Sequence, residues 1–245
     1  MLKLIVSDFD GTLMPYGTQS VSESVKDKIN TLLKKNVAFA ISSGRTYNEL
    51  LNFLPEFADK IYYICCDGAH YIKNNKSLYE KKIESDDLYY LARKKSNDNS
   101  FIFHTATDNY LLGNIPLSVQ SLPVTPISRI EEITEKVFKI TSFGDSIKLP
   151  PLSGLRLHWE ADRNSTTQYV NRFADKGNAL SDLQTRLMLT KFDTVCIGDS
   201  ANDIPMMRHA KYSFSIGNRC SELLKITNKN VDSIESALVF CLNSL

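Results

Sequence analysis

The chain has 245 residues, 42% hydrophobic and 23% charged, an ordinary globular composition with enough apolar content for a sizeable core. Lys plus Arg number 29 against 28 Asp plus Glu, so no overall field directs the protein to nucleic acid or to an anionic membrane. The five cysteines (Cys65, Cys66, Cys196, Cys220, Cys241) form no CxxC pair and no metal-ligand cluster, which points to reduced, buried thiols. The opening apolar run is too short for a signal peptide, and no stretch reaches bilayer length, so a cytoplasmic protein is expected.

In chain order, residues 2–7 read as a short buried strand, with Asp8, Phe9, Asp10, Gly11 and Thr12 following at its carboxyl end. Helical spacing follows at Val25, Ile29, Leu32 and Leu33 within residues 22–34. A second apolar run, 37–41, stops at Ser42, Ser43, Gly44 and Arg45, and a helix pattern covers 47–53. A third run, 61–66, ends at Asp67 and Gly68. The middle of the chain reads differently. A hairpin turning at Asn74 and Asn75 occupies 70–81, and a helix opens at Ser85 and runs to about Lys95. Strands are expected over 101–105 and 110–112, a loop over 117–128, a short helix over 131–136, and a strand over 137–141. Pro150 and Pro151 break the chain before the strictly alternating strand 155–160. Near the C-terminus a helix over 178–189 leads to strands at 194–197 and 212–216.

Continuous apolar strands alternating with amphipathic helices predict an α/β core, a parallel sheet with helices on both faces. The core spans residues 1–76 and 165–245, and a separate α+β module is inserted at 77–164. Ligands of such sheets sit at the carboxyl ends of the strands, where the polar clusters named here fall.

Asp8 and Asp10 can both turn toward one site from a tight loop. A strand-end carboxylate beside a cation can attack phosphorus, and a second can donate a proton to the leaving oxygen and then deprotonate water. Gly11 lets the backbone approach a phosphate, and its N–H can donate to an oxygen; the same residues also suit an Asx-type turn. Ser43 precedes a helix, either as a phosphate-binding hydroxyl or as a plain N-cap. Arg45 either reaches phosphate or substrate or forms an ion pair. Lys176, followed by Gly177, can offset the charges of aspartate and phosphoryl group, although a lone Lys-Gly also suits a solvated surface. Asp199 and Asp203, within Gly198-Asp199-Ser200-Ala201-Asn202-Asp203, supply hard oxygen ligands for Mg²⁺, or else an acidic helix N-terminus. A calcium loop does not fit, since its sixth position would be Ile204 rather than Gly.

Taken together and in this order, DxDGT at residues 8–12, Ser43-Gly44-Arg45, Lys176 and GDSAND at 198–203 resemble the haloacid dehalogenase-like phosphatases. The insertion is similar to the type IIB cap of the Cof-like subfamily. The resemblance implies a Rossmann-like core with an α+β cap, and a Mg²⁺-dependent phosphatase. Asp8 would be nucleophile and metal ligand. Asp10 would be general acid/base and give its backbone carbonyl to Mg²⁺. Ser43 and Lys176 would hold the phosphoryl group, Asp199 would ligate Mg²⁺ with Asp203 in support, and Asn202 would touch phosphate or substrate. The chain departs from the family at Asp67, where relatives commonly carry Asn; a carboxylate is thus expected near the pocket mouth. In the cap, Arg156 and His158 share one strand face with Glu160 and are candidates for substrate contact, or line a solvated face. A small phosphorylated metabolite, a sugar phosphate by resemblance, is the expected partner. A phosphomannomutase-like phosphotransferase and a non-catalytic phosphometabolite sensor are the alternatives.

Overall fold

The computed structural model describes residues 2–114, 123–144, 154–161 and 166–245, with the backbone alone at 157–161. The chain divides into two compact units: Met1–Arg45, Glu49–Tyr79 and Asp175–Leu245 form the first, and Thr46–Asn48 with Glu80–Ala174 the second.

The first unit is built on strands β1 (Leu4–Asp8), β2 (Ala38–Ser42), β3 (Tyr62–Cys65), β4 (His70–Lys73) and β5 (Lys76–Glu80). The rest of the chain contributes to two sheets: β6 (Ser100–His104), β7 (Asn109–Leu112), β8 (Thr125–Ile127), β9 (Lys139–Phe143), β10 (Leu155–Ala161) and β11 (Thr166–Asn171), then β12 (Thr194–Gly198), β13 (Tyr212–Ile216) and β14 (Lys229–Val231). The helices are α1 (Glu23–Lys34), α2 (Tyr47–Phe53), α3 (Ser85–Ala92), α4 (Lys176–Arg186), α5 (Ile204–Met207), α6 (Ser221–Ile226) and α7 (Ile234–Asn243).

The first sheet has the order β14-β13-β12-β1-β2-β3-β4-β5, parallel from β14 to β3 and antiparallel where β4 meets β3. Leu4, Ile5 and Val6 have no exposed surface because helices cover both faces. Leu4, Val6, Ala40 and Ile64 pack with Leu180 and Leu183 of α4 and Met206 of α5 on one side. On the other side α1 and α7 pack together, and Ser22 caps α1 by accepting the Val25 N–H at 3.3 Å. The strand order turns in opposite directions on either side of β1 and β12, which opens the crevice at their carboxyl ends.

The second unit carries a six-stranded sheet, β10-β11-β9-β6-β7-β8. Phe101, Phe103, Ile140 and Tyr169 point to the side that Leu91 of α3 covers, the alternation expected of a sheet with one apolar face. Its borders fall after Tyr79 and after Ala174, not after residues 76 and 164. The reason is β11: it hydrogen-bonds β10 and β9, so residues 166–171 group with this sheet rather than with the core. Two further expectations change. Thr125–Ile127 forms a strand instead of loop, and Pro126 is tolerated there because β8 lies at the sheet edge. Residues 131–136 give only a single turn at Ile130–Glu132, since Ile133 is already extended. The Pro150–Pro151 break and the border at residue 164 lie outside the described residues. Among the described residues no helix is long and apolar enough to cross a membrane.

Candidate active site

Asp8 ends β1 and is 5% exposed. Asp199 directly follows β12, and Asp203 closes the turn at Ala201–Asp203. These three carboxyl groups, from opposite ends of the chain, each offer an oxygen within 4.8 Å of the others. Lys176 binds the group together: Nζ lies 2.6 Å from Asp8 Oδ1 and 2.6 Å from Asp203 Oδ1. It is the first residue of α4 rather than a residue preceding it, and a cation is disfavoured at that end of a helix dipole. The two carboxylates supply the compensation.

Asp203 uses its second oxygen as well, Oδ2 accepting the N–H groups of Asp199 and Ser200 at 3.0 Å each. Asp199 is held by Thr12, whose Oγ1 donates to Oδ1 at 3.2 Å. Asp199 Oδ2, by contrast, is buried and meets no hydrogen-bond donor among the described residues. A buried carboxylate oxygen left without a donor is costly, and a hard cation is the partner that such an oxygen lacks. The acidic set therefore fits a divalent cation.

The electrostatics agree with that reading. Burial first, then the Asp203 carboxylate, push Asp8 well above its ordinary value, with Lys176 opposing. Burial and Asp203 likewise raise Asp199. Burial works against the Lys176 ammonium, but Asp203 and Asp8 outweigh it, and the lysine is held charged.

Other expected residues take different places. Gly11 does not present its N–H to a ligand, for that group donates to the Met14 carbonyl at 2.8 Å. Its φ of +82° and lack of a side chain serve a close approach instead: a Cβ there would stand 2.5 Å from Tyr16 Cζ and 2.6 Å from Asp199 Oδ2. Ser43 is not at a helix N-terminus, since α2 begins four residues later; its buried hydroxyl accepts the Arg45 N–H at 3.1 Å in a local turn. Arg45 reaches Asp10 rather than a ligand, with Nε 2.8 Å from Oδ2 and Nη2 2.7 Å from Oδ1, and its guanidinium lies 4.9 Å from the Phe53 ring centre.

Asp67 does not stand at an open mouth. It is 2% exposed, and Oδ1 accepts from Asn202 Nδ2 at 3.1 Å. Asn202 thus bonds Asp67 and, through Oδ1, the Ser200 hydroxyl at 2.6 Å. In the second unit, the Arg156 guanidinium donates to the Ala174 carbonyl, Nε at 3.2 Å. His158 lies on β10, and its side chain is outside the described residues.

Three residues of this neighbourhood escaped the sequence reading. Thr12 lay in plain view within DxDGT. Tyr16 and Arg219 had no motif to mark them: the Arg219 Cζ stands 3.9 Å from the Tyr16 ring centre, and burial followed by the Asp199 carboxylate raises the Tyr16 phenol to about 12.

A first-strand carboxylate bound by lysine to acids of the last third of the chain is the arrangement of the haloacid dehalogenase-like hydrolases. Residues 5–239 match that family's profile, and the chain belongs to it, as an enzyme of the phosphatase kind acting on phosphate monoesters. Among its relatives, the 5-amino-6-(5-phospho-D-ribitylamino)uracil phosphatase YbjI of Escherichia coli is 23% identical, over 91% of this chain and 88% of its own. The phosphatase YcsE of Bacillus subtilis, named for the same compound, is 25% identical over 94% and 92%. The subclass IIB sugar phosphatase BT4131 shares the fold, with a TM-score of 0.80 at 19% identity, covering 98% of both chains.

Proposed function

We propose that the protein is a Mg²⁺-dependent phosphomonoesterase that hydrolyses a small phosphorylated metabolite, of the sugar phosphate kind, through an aspartyl-phosphate on Asp8. The observation that carries this reading is the Lys176 ammonium, 2.6 Å from Asp8 Oδ1, beside the donorless oxygen of Asp199. Asp8, Asp199 and the Asp10 backbone carbonyl would hold Mg²⁺, with Asp203 behind them. The cation, when bound, neutralises charge between an attacking carboxylate and phosphoryl oxygens.

An Asp8 oxygen attacks phosphorus while the bond from phosphorus to the leaving oxygen breaks, and the Asp10 carboxyl gives that oxygen its proton. Water then attacks phosphorus, Asp10 takes the proton back, and phosphate leaves with the Asp8 carboxylate restored. An ammonium has three N–H donors; two serve carboxylates here, and the third is available to a phosphoryl oxygen. The Ser43 hydroxyl is a second donor. Arg45 holds the Asp10 carboxylate by both oxygens, fixing the proton carrier.

The substrate class rests on the relatives, named for a phosphoribitylamino compound, for glucosyl-3-phosphoglycerate and as a sugar phosphatase. The second unit, likened to a type IIB cap, would select the leaving group. The buried thiols of Cys65, Cys66, Cys196 and Cys241, none of them in a disulfide, suit the cytoplasm.

The test follows phosphate release from a panel of phosphorylated sugars and polyols with and without Mg²⁺, beside Asp8→Asn. Release that requires Mg²⁺ and vanishes in the variant is expected. Undiminished release by Asp8→Asn would overturn the covalent mechanism, and bisphosphate-stimulated isomerisation without net release would point to a mutase.

A further inference from the structure

Tyr16 is 53% exposed, yet the carboxylate beneath it is not: Asp199 is 2% exposed. The Tyr16 ring and Asp199 Oδ2 converge on one point above Gly11: a Cβ there would stand 2.5 Å from Tyr16 Cζ and 2.6 Å from Asp199 Oδ2. The ring is placed by local backbone. Thr18 N–H donates to the Pro15 carbonyl at 3.1 Å, and Gly17 has a φ of +84°, the signature of a type II turn with Tyr16 at its second position. From the other side Arg219, in the loop after β13, lays its guanidinium 3.9 Å from the ring centre. Two loops from either side of β12 thus meet above the end of that strand, where Asp199 stands.

We infer that Tyr16, clamped by Arg219, is a positioning residue that walls off the Asp199 end of the cation site. This rests on the Mg²⁺ part of the proposed function. The ring keeps water from this buried oxygen, and so keeps it for the cation. A shell that limits solvent access strengthens a metal site, and losing such an outer contact weakens binding by about 10- to 100-fold. The work is assigned to the ring face; the Tyr16 hydroxyl, which also interacts with the Asp199 carboxylate, is what Tyr16→Phe removes. Arg219 acts through the ring, by holding it down.

The experiment is titration calorimetry of Mg²⁺ into chelator-stripped protein, for wild type, Tyr16→Ala, Tyr16→Phe and Arg219→Gln, each checked for an unchanged circular dichroism spectrum. Tyr16→Ala should weaken Mg²⁺ binding about tenfold, Arg219→Gln by less, and Tyr16→Phe, which keeps the ring, should bind as wild type does. Equal affinity in Tyr16→Ala would overturn the inference while leaving the cation reading intact. Tighter binding in Tyr16→Ala would also overturn it, by showing the ring to be a plug. No Mg²⁺ binding by wild type would overturn the cation reading and this inference together.

Discussion

Lys176 donates to Asp203 Oδ1 at 2.6 Å with both side chains shut away from water. Together with the bond to Asp8, this makes the lysine the only cation in ion-pair contact with these two buried acids among the described residues. Lys176→Met should therefore cost about 3–5 kcal/mol in urea unfolding of the metal-free protein, because it strands charge in the interior. A loss under about 1 kcal/mol would show that the cluster is not held together this way.

The same cluster sets a pH dependence. Asp8 and Asp199 are held above the ordinary 3.8, so each keeps its proton more firmly folded than unfolded. Their contribution to stability is complete below that value and is lost as pH rises through the folded one. With chelator present, the melting temperature should fall as pH rises from about 4. With saturating Mg²⁺, which on the proposed reading binds the ionised carboxylates, the fall should vanish. Parallel profiles in the two conditions would contradict the placement of the cation.

Arg45 and Asp10 share a two-bonded contact, which under the proposed mechanism fixes the proton carrier. Arg45→Ala should lower kcat by about 10²-fold or more with little change in KM, within the range general acid–base catalysis supplies. Arg45→Lys should not restore it, since an ammonium cannot reproduce the planar fork. A pure KM effect would assign Arg45 to substrate binding instead.

Asp67 has a φ of +56° and bonds Asn202. Asn tolerates that backbone region and offers the same acceptor, whereas a β-branched residue does neither. Asp67→Asn should melt close to wild type, and Asp67→Val should lose about 1–3 kcal/mol of stability. Equal stability of the two would mean that the backbone there is not constrained.

The core was legible because its strands are continuous apolar runs ending in polar clusters: β1, β2, β3, β12 and β13 all fall within a residue or two of their expected places. So was the bringing together of Asp8, Lys176, Asp199 and Asp203, since type and order of residue sufficed. What failed was local. The sequence cannot show that the Gly11 N–H is spent on Met14, or that Arg45 turns to Asp10, because both depend on which neighbour arrives first within a few ångströms. β11 was missed because a polar, threonine-rich strand declares itself only through its partners β9 and β10. Tyr16 and Arg219 find each other across most of the chain, and no periodicity records such a meeting.

The pairing of β1 with β12, Leu4 opposite Thr194, has a consequence for synthesis. The ribosome delivers β1 before its central neighbour β12, with β2 to β11 emerging in between. Strands β6 to β11 pair only with one another among the described residues, so the second unit can fold while the core still waits. Asp8 therefore meets Lys176 only after 168 further residues have been made, and Asp199 later still, so a chain cut short of them leaves the Asp8 carboxylate without its ammonium.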